Sequence, residues 1–449
     1  AASRVPVINS IPVGSPFNSS KQYRFATGVR KTFRTGGELT VSTELSRFDN
    51  RAPGINFSPD PAYNAAISLG YVQPLLQGFG EDVNTAEIRF AENAEARDIE
   101  QLRSQLLTLI ENVEAAYWTL QVAWANLEIT QWLVDVGVDV RDKHESRRQF
   151  DVTLAEFADA VATVETRRAD VIRARRQVRA ASDNLKRLLN LPYVGVGNEA
   201  VLKPTEPLAA SPITYNLRET LLLALEHRPE LRTALLDIDD AAIREVVAEN
   251  FLLPLLNLNA EVSWLGLDDS VGDAYEGVFE NDFVNYIFGL TFEQAIGNRA
   301  DEAALRAARL QRTQALLGYR LAIQQVILDV KDALRDVVTN YQLIEATRST
   351  RVAQAENLRA LLVTEESIAR LTPEFLNLKF QRQEGLARAR QAEIQAQADF
   401  ERAIASLHRA MGIGLTMNNI EFREHVVPAD DERPFIPPAN RDLRYASDR

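Results

Sequence analysis

The sequence predicts an α+β membrane protein built from two tandem repeats, each containing strands, a long helix and a returning helix. Apolar residues first recur at alternating steps of four and three, at Leu106, Ile110, Val113, Tyr117, Leu120, Trp124 and Leu127. This average period of about 3.5 residues is typical of a coiled-coil seam. The same pattern returns 217 residues later, at Ile323, Ile327, Val330, Leu334, Val337, Tyr341 and Ile344. The chain therefore contains two copies of one long-helix unit.

Composition limits the partners that the chain can have. Of its 449 residues, 46% are hydrophobic and 25% are charged, as in ordinary globular proteins. A net charge of -13 and a pI of about 5.1 argue against nucleic acid as a main partner. Cysteine is absent, which excludes disulfides, thiolate metal sites and thiol nucleophiles. The sequence has no run of eighteen apolar residues, so it predicts no transmembrane helix.

The first repeat is predicted over residues 1–210. Residues 1–21 are rich in Pro, Ser and Asn and are expected to be irregular, while β-strands with period-two alternation lie within about 22–76. A long helix over about 81–150, a turn, a return helix over about 156–189 and a connector over 190–210 follow. The return helix carries many arginines, and a solvated face is expected around Arg167, Arg168, Arg173, Arg175 and Arg176.

The second repeat is predicted over residues 211–422. A helix over about 217–250 precedes strands over about 255–265 and 283–293, which flank an acidic loop. A long helix over about 297–367 and a return helix over about 373–412 complete this repeat, and residues 423–449 form a polar, proline-rich tail. The helix over 217–250 has no counterpart in the first repeat. We therefore expect that an N-terminal helix is missing before Ala1.

The strands and long helices together favour a membrane conduit. Alternation of apolar and small polar residues fits a barrel with one face on lipid and one on water, but it also fits a soluble sandwich. Helices of roughly 70 residues, about 100 Å long, favour the conduit because isolated helices of that length need partners. A spanning barrel must close, and four or five strands are too few, so the barrel requires several copies of the chain.

Three stretches resemble the outer-membrane efflux proteins of the TolC type. They are the strand-to-helix junction Gln73-Pro74-Leu75-Leu76-Gln77-Gly78-Phe79-Gly80, the Ala116-Tyr117-Trp118 stretch inside a long helix, and the second junction over residues 293–299. The resemblance implies a homotrimer in the outer membrane of a Gram-negative-type cell. It implies a 12-stranded β-barrel, four strands per chain, continued by a periplasmic α-helical barrel. An inner-membrane pump and a periplasmic adaptor (membrane fusion) protein are the implied partners, together with outer-membrane lipid.

The resemblance also implies a gate and a docking site at the helical tips. By position, Asp159 matches an acidic residue of the first tip, and the last helix offers Glu374, Phe375 and Leu378. A partly hydrophobic constriction is expected from this set, although Phe375 and Leu378 also fit ordinary seam positions. Adaptor contacts are expected at the turns Val152-Thr153-Leu154 and Ile368-Ala369-Arg370. Both turns lack the glycine that is usual in the family.

Enzymatic motifs are missing from the sequence. It contains no G-x-S-x-G elbow, phosphate loop or G-x-G-x-x-G, and the paired carboxylates Asp239-Asp240 and Glu365-Glu366 are typical of exposed helices. Its four histidines, His144, His227, His408 and His425, are dispersed and expected on the surface. No catalytic residue, metal site or cofactor is predicted.

Two functions compete. The first is the outer-membrane channel of a tripartite system for efflux or type I secretion, which conducts substrate passively. The alternative is a non-membrane scaffold built of coiled coils with β appendages. The exported substrate and the class of pump stay open.

Overall fold

The computed structural model describes residues 2–6, 17–50, 58–150, 152–206, 215–367 and 372–421. The chain divides into two compact units. The sheet unit comprises residues 1–98 and 230–324, and the helical unit comprises residues 99–229 and 325–449. The predicted repeat boundary near residue 210 stays a prediction, and the tail over 423–449 lies outside the described residues.

The predicted order of strands, long helix and return helix occurs twice, which confirms the fold class. The strands of the described residues are β1 (Ala2–Pro6), β2 (Phe17–Thr32), β3 (Glu38–Asn50), β4 (Ala62–Pro74), β5 (Leu255–Asp268) and β6 (Val284–Glu293). The helices of these residues are α1 (Glu81–Asn84), α2 (Ala86–Arg147), α3 (Leu154–Leu189), α4 (Leu217–His227), α5 (Pro229–Asn250), α6 (Val271–Glu280), α7 (Arg299–Ser367), α8 (Pro373–Ala410) and α9 (Gly414–Met417). The long helices α2 and α7 have 62 and 69 residues.

A single antiparallel sheet contains the strands in chain order, from β1 to β6. The expectation that residues 1–21 are irregular is wrong for β1 and for the beginning of β2. Phe17 pairs with Pro6, and the pairing of β2 with β3 extends from Ser20↔Asn50 to Thr32↔Glu38. Backbone hydrogen bonds with a neighbouring strand outweigh the weak strand propensity of a Ser- and Asn-rich segment.

The two faces of the sheet differ in chemistry. Aligned positions on one face are apolar, and the row across its middle consists of Val29, Val41, Leu69, Val262 and Tyr286. We call this side the apolar face. The opposite side, the polar face, carries the ion pairs Arg24–Glu44 and Arg30–Glu38 and a Ser68–Ser263 hydrogen bond of 3.1 Å. The predicted alternation is therefore present across the sheet.

The sequence predicts an acidic loop between β5 and β6, but part of this segment forms helix α6. Ser270 caps this helix by accepting a hydrogen bond from the Asp273 N–H. Ala274 and Val278, four residues apart, are buried together with Ala65 of β4 on the apolar face. The expectation of a loop is wrong because it was based on the acidic side chains and overlooked Ala274 and Val278, an apolar pair at helical spacing.

Glycines shape the junction between β4 and α1. Gly78 and Gly80 have φ angles of +80° and +113°, which side chains with a Cβ rarely adopt. The Gly78 N–H donates to Asn250 Oδ1 at 2.7 Å, and Asn84 Nδ2 donates to Gly78 O at 2.8 Å. The junction therefore fixes the direction in which the chain leaves the sheet.

The helix predicted over 217–250 is interrupted. Helix α4 ends at His227, and α5 begins at Pro229. Proline lacks the N–H that would continue the ladder of α4, and it disfavours helical backbone at Arg228 before it. The extended conformation of Arg228, with φ −71° and ψ 121°, agrees with this cause.

Coiled-coil pairing builds the helical unit. The seam residues Leu120 and Leu127 of α2 are buried in one cluster with Val171 and Val178 of α3. Near the second copy of the seam, the Tyr341 ring of α7 lies 5.7 Å from the Phe400 ring of α8. Among the helices of the described residues, none is long and apolar enough to cross a membrane.

We predict that Gly266→Val detaches α6 from the sheet. A Cβ at this position would lie 1.9 Å from Ala274 O, so α6 must move, at a cost of about 1–3 kcal/mol. Limited proteolysis should then cut the 268–282 segment faster. Gly289→Val is the matched control, because nothing lies within 4 Å of a Cβ there. Equal cleavage of the two variants would contradict the packing described for α6.

Candidate functional site

The first predicted tip turn is closed by a capping box. Thr153 Oγ1 accepts a hydrogen bond from the Glu156 N–H, and Glu156 Oε2 accepts one from the Thr153 N–H at 2.8 Å. Val152 is buried, whereas Leu154 is 68% exposed and the neighbouring Phe150 is 82% exposed. Of the three predicted contact residues, Leu154 is thus the one that presents a large apolar surface.

At the second tip, Ile368, Ala369 and Arg370 lie outside the described residues. Helix α8 begins just after them, where Thr372 Oγ1 accepts a hydrogen bond from the Phe375 N–H. Glu374 is exposed, and Phe375 and Leu378 are half-buried.

The buried seam near the tips uses residues adjacent to those predicted for the gate. Val140 of α2, Ala160 of α3, and Leu376 and Phe380 of α8 form one buried cluster. Asp159 is exposed next to Ala160. The cluster therefore brings together the neighbours of the predicted residues, and Phe375 and Leu378 are not among its members.

Four charged side chains from three helices meet close to this cluster. We call Asp139 and Lys143 of α2, Glu365 of α7 and Lys379 of α8 the tip ion network. Glu365 contacts Lys143 at 2.7 Å and Lys379 at 2.8 Å, and Asp139 contacts the same lysines at 3.1 and 3.3 Å. The Lys379 side chain is only 5% exposed, and these two carboxylates surround its ammonium group.

The network keeps its carboxylates ionised. Burial acts to raise the pKa of Glu365, but hydrogen bonds from Lys143 and Lys379 outweigh it, and the pKa is lowered. The pKa of Asp139 is lowered by the same balance. Burial acts to lower the pKa of Lys143, but hydrogen bonds to Glu365 and Asp139 raise it above its ordinary value. The expectation that Glu365 sits on an exposed helix is therefore wrong.

Arg167 of α3 is a second buried cation that sequence reasoning missed. It was expected on a solvated face but is 4% exposed, and its guanidinium donates to Leu133 O at 2.8 Å and Gln383 Oε1 at 3.2 Å. The guanidinium carbon also lies 5.0 Å from the centre of the Phe380 ring. A Cβ on Gly137 would lie 2.7 Å from Arg167 Nη1. Gly137, a glycine inside the long helix α2, was therefore the sequence feature that could have indicated a large side chain packed against this helix.

His144 is likewise buried and not on the surface as expected. It is fully buried, and neither ring nitrogen has a hydrogen-bond partner among the described residues. Burial lowers its pKa, the nearby Glu156 opposes this effect, and Arg147 adds to it. Burial of His144 therefore favours its neutral imidazole form.

Carboxylates also cluster in the sheet unit. Asp240 is buried and accepts hydrogen bonds from Asn93 and Arg97, both at 2.7 Å, which corrects the expectation of an exposed carboxylate pair. Asp268, Asp269 and Asp273 are exposed and have oxygens within 4.8 Å of one another. The Asp269 N–H donates to Asp268 Oδ1 at 2.7 Å, and the Ser270 hydroxyl donates to Asp273 Oδ2 at 2.7 Å, so two of these carboxylates already accept hydrogen bonds.

Solved outer-membrane channels share this fold. The chain is similar to the outer membrane protein VceC from Vibrio cholerae, with a TM-score of 0.64 and 16% identity over 88% of this chain and 87% of that one. The outer membrane channel CmeC from Campylobacter jejuni gives 0.62 and 16%, covering 88% and 78% of the two chains. The channel MtrE from Neisseria gonorrhoeae gives 0.62 and 20%, covering 88% and 81%.

The family model described as outer membrane efflux protein matches residues 38–191. This match spans β3, β4, the long helix α2 and its return helix α3. No curated protein matches the sequence. Residues 38–191 therefore match the outer membrane efflux proteins, in agreement with the predicted family resemblance, and this match favours an outer-membrane efflux channel over a coiled-coil scaffold.

We predict that Glu365→Gln loosens the beginning of α8. The substitution removes a negative charge beside the buried Lys379, and we expect a loss of about 2 kcal/mol, or roughly 30-fold faster amide exchange over residues 374–383. Hydrogen exchange with mass spectrometry measures this directly. Glu356→Gln, on the same helix, is the matched control, because Glu356 forms an exposed pair with Arg359. If the two variants exchange alike, the network does not hold α8.

Proposed function

We propose that this chain is the outer-membrane channel of a tripartite export system. It passively conducts substrate that an inner-membrane pump and a periplasmic adaptor deliver. The observation that carries the proposal is a sheet with one apolar and one polar face, in a chain whose repeats continue into helices of 62 and 69 residues. The strands would lie in the outer membrane and the helices in the periplasm.

Strand chemistry supports a water-filled conduit. On the apolar face of β6, Tyr286, Phe288, Leu290 and Phe292 are each at least 64% exposed in the single chain. A face of this composition suits lipid, and the charged and hydroxyl side chains of the polar face suit a hydrated lumen. Drug efflux, metal efflux and polypeptide secretion place the same demand on such a wall, so this chemistry does not select among them.

Assembly as a homotrimer follows the family resemblance and the state of the sheet. In hydrocarbon each strand edge must find a hydrogen-bonding partner, because no water is available to satisfy its N–H and C=O groups. Among the described residues of the single chain, strand β6 has a neighbour on one side only. Further copies of the chain would supply the missing neighbour and close the barrel.

We also propose that Phe375 and Leu378 constrict the tunnel at the helical tips, flanked by Glu374 and Asp159. The support is that Leu376, Lys379 and Phe380 occupy the buried side of α8, so the half-buried Phe375 and Leu378 lie at the edge of the buried seam. Apolar side chains at the edge of a seam can face the lumen of a helical tube. A ring of them would resist wetting until the tips part.

Adaptor contact at the first tip would depend on Leu154. Leu154 and Phe150 are both exposed, and they lie one on each side of the turn. Val152 is buried, and Thr153 caps α3. Ile368, Ala369 and Arg370 stay in the proposal as contacts of the second tip on the family resemblance alone.

The test of the function is conduction by the purified protein. In detergent it should run as an SDS-resistant trimer, and in planar bilayers it should give discrete single-channel currents without an energy source. A detergent-free soluble monomer or dimer without conductance would contradict the proposal and favour a scaffold.

The gate has its own test. Phe375→Ser with Leu378→Ser should raise open probability or conductance, because a polar ring is wetted more readily. Leu376→Val is the matched control on the same turn, since Leu376 is buried in the seam. Unchanged conductance and open probability in the double variant would refute the gate and return both residues to ordinary packing.

A further inference from the structure

We propose that helix α6 lies against lipid on the outer wall of the barrel, at the outer boundary of the hydrocarbon layer, and not in the lumen as a lid. Its contact with the outer leaflet would be a row formed by Val271, Tyr275 and Phe279, which we call the α6 stripe. This inference rests on the proposed channel, and it assigns a lipid-binding surface to a segment that the channel itself does not need.

Helix α6 is packed on the apolar face of the sheet, the face that the proposed channel turns towards lipid. Ala274 and Val278 are buried with Ala65 of β4, and Trp264 of β5 packs against them. A Cβ on Gly266 would lie 1.9 Å from Ala274 O, so the helix sits directly on the backbone of β5. A helix seated this closely on one face cannot reach the opposite face, where the lumen would lie.

The contacts of α6 lie at the end of the sheet that is farthest from the long helices. Strand β4 begins at Ala62 and ends at Pro74, and Pro74 pairs with Asn257 near the beginning of β5. Ala65 and Gly266, which pair with each other, lie near the opposite end of these strands. With the long helices in the periplasm, the end that carries α6 would face the outside of the cell.

The apolar band of the sheet ends where α6 begins. On β6 the alternating positions from Val284 to Phe292 span about 26 Å along the strand, at about 3.3 Å per residue. A strand tilt of about 35–45° reduces this span to roughly 19–22 Å across the bilayer, close to the apolar band of about 25 Å in outer-membrane barrels. Val284 pairs with Trp264, which packs against α6. The helix therefore occupies the outer border of the band.

Directly outside the Ala65 position, the apolar face changes to aromatic and charged residues. The next aligned row there consists of Tyr23, Arg47, Tyr63 and Asp268. The Arg47 guanidinium carbon lies 5.5 Å from the centre of the Tyr63 ring. Tyrosine is enriched where hydrocarbon meets water, and long basic side chains extend towards the headgroups. This row therefore marks the headgroup level.

The α6 stripe points towards the middle of the bilayer. Its members recur every four residues, so they share one side of the helix. The Tyr275 hydroxyl lies 2.9 Å from Thr43 Oγ1 of β3. Thr43 pairs with Ile67, which is two residues nearer to the long helices than Ala65. The stripe is thus on the side of α6 that faces the apolar band.

The remaining exposed surface of α6 carries Asp273, Glu276 and Glu280. Charged side chains are costly in the hydrocarbon layer, so this surface would face headgroups and water. Within the α6 stripe, in contrast, Val271 is 42% and Phe279 is 76% exposed. A helix with an apolar side and a strongly charged side suits the boundary of a bilayer. It would also keep the strands from moving deeper into the membrane, because its carboxylates resist entry into hydrocarbon.

Site-directed spin labelling tests the proposal, because the native chain contains no cysteine. Phe279→Cys and Glu276→Cys would each carry a nitroxide in the purified channel, reconstituted in vesicles of phosphatidylethanolamine and phosphatidylglycerol. Leu290→Cys is the lipid reference on the apolar face, and Asn64→Cys is the lumen reference on the polar face. For each label, the collision rate with oxygen, which concentrates in hydrocarbon, is compared with that of a polar nickel chelate, which stays in water.

We expect the oxygen-to-nickel ratio at Phe279→Cys to resemble that at Leu290→Cys and to exceed that at Glu276→Cys roughly fivefold, because hydrocarbon excludes polar solutes. A ratio as low as that at Asn64→Cys would place the α6 stripe in water and overturn the inference. Collisions with neither reagent at Phe279→Cys would show that protein covers the stripe, which would also overturn it. In both cases a lipid-like ratio at Leu290→Cys would leave the proposed channel intact, whereas a water-like ratio there would contradict the proposed function itself.

Discussion

Backbone hydrogen bonding at the edges of the sheet is the constraint on which this structure depends. A strand edge in hydrocarbon leaves N–H and C=O groups without water, at a cost of several kcal/mol for each group. The sheet runs from β1 to β6 in chain order and, over the part of the chain that the structure describes, does not close on itself. The proposed assembly of several copies into one barrel follows from this one requirement.

The helical tips obey a different constraint, since their long helices are held by a mixture of apolar and ionic contacts. Val140, Ala160, Leu376 and Phe380 supply the apolar seam, while the tip ion network links α2, α7 and α8. A buried ion pair contributes little net stability, but breaking it is costly, so it favours one alignment of the helices. Arg167 and His144 extend this pattern, because both place polar groups inside the coiled coil. Such contacts suit long helices that must keep one alignment with each other even where their tips separate.

Periodicity and turn chemistry made much of the fold predictable. The seam at Leu120 and Leu127 is buried as its 3.5-residue period requires, and the junction at Gly78 and Gly80 adopts the positive φ angles that favour glycine. Helix α6 escaped prediction because its acidic residues outnumber its buried pair, Ala274 and Val278. Glu365 and Arg167 were misplaced because burial of a charge depends on partners far away in the chain, such as Lys379 and Gln383. No local pattern encodes those contacts.

The strand count illustrates the same limit. The alternation of β2 is visible in the sequence, yet its place beside β3 depends on a turn that packs against the junction at Gly78. Electron cryo-microscopy of the purified protein in lipid nanodiscs tests the central claim most directly. Several copies whose sheets join edge to edge in one closed β-barrel are the predicted result. A single copy whose sheet keeps open edges would contradict the account.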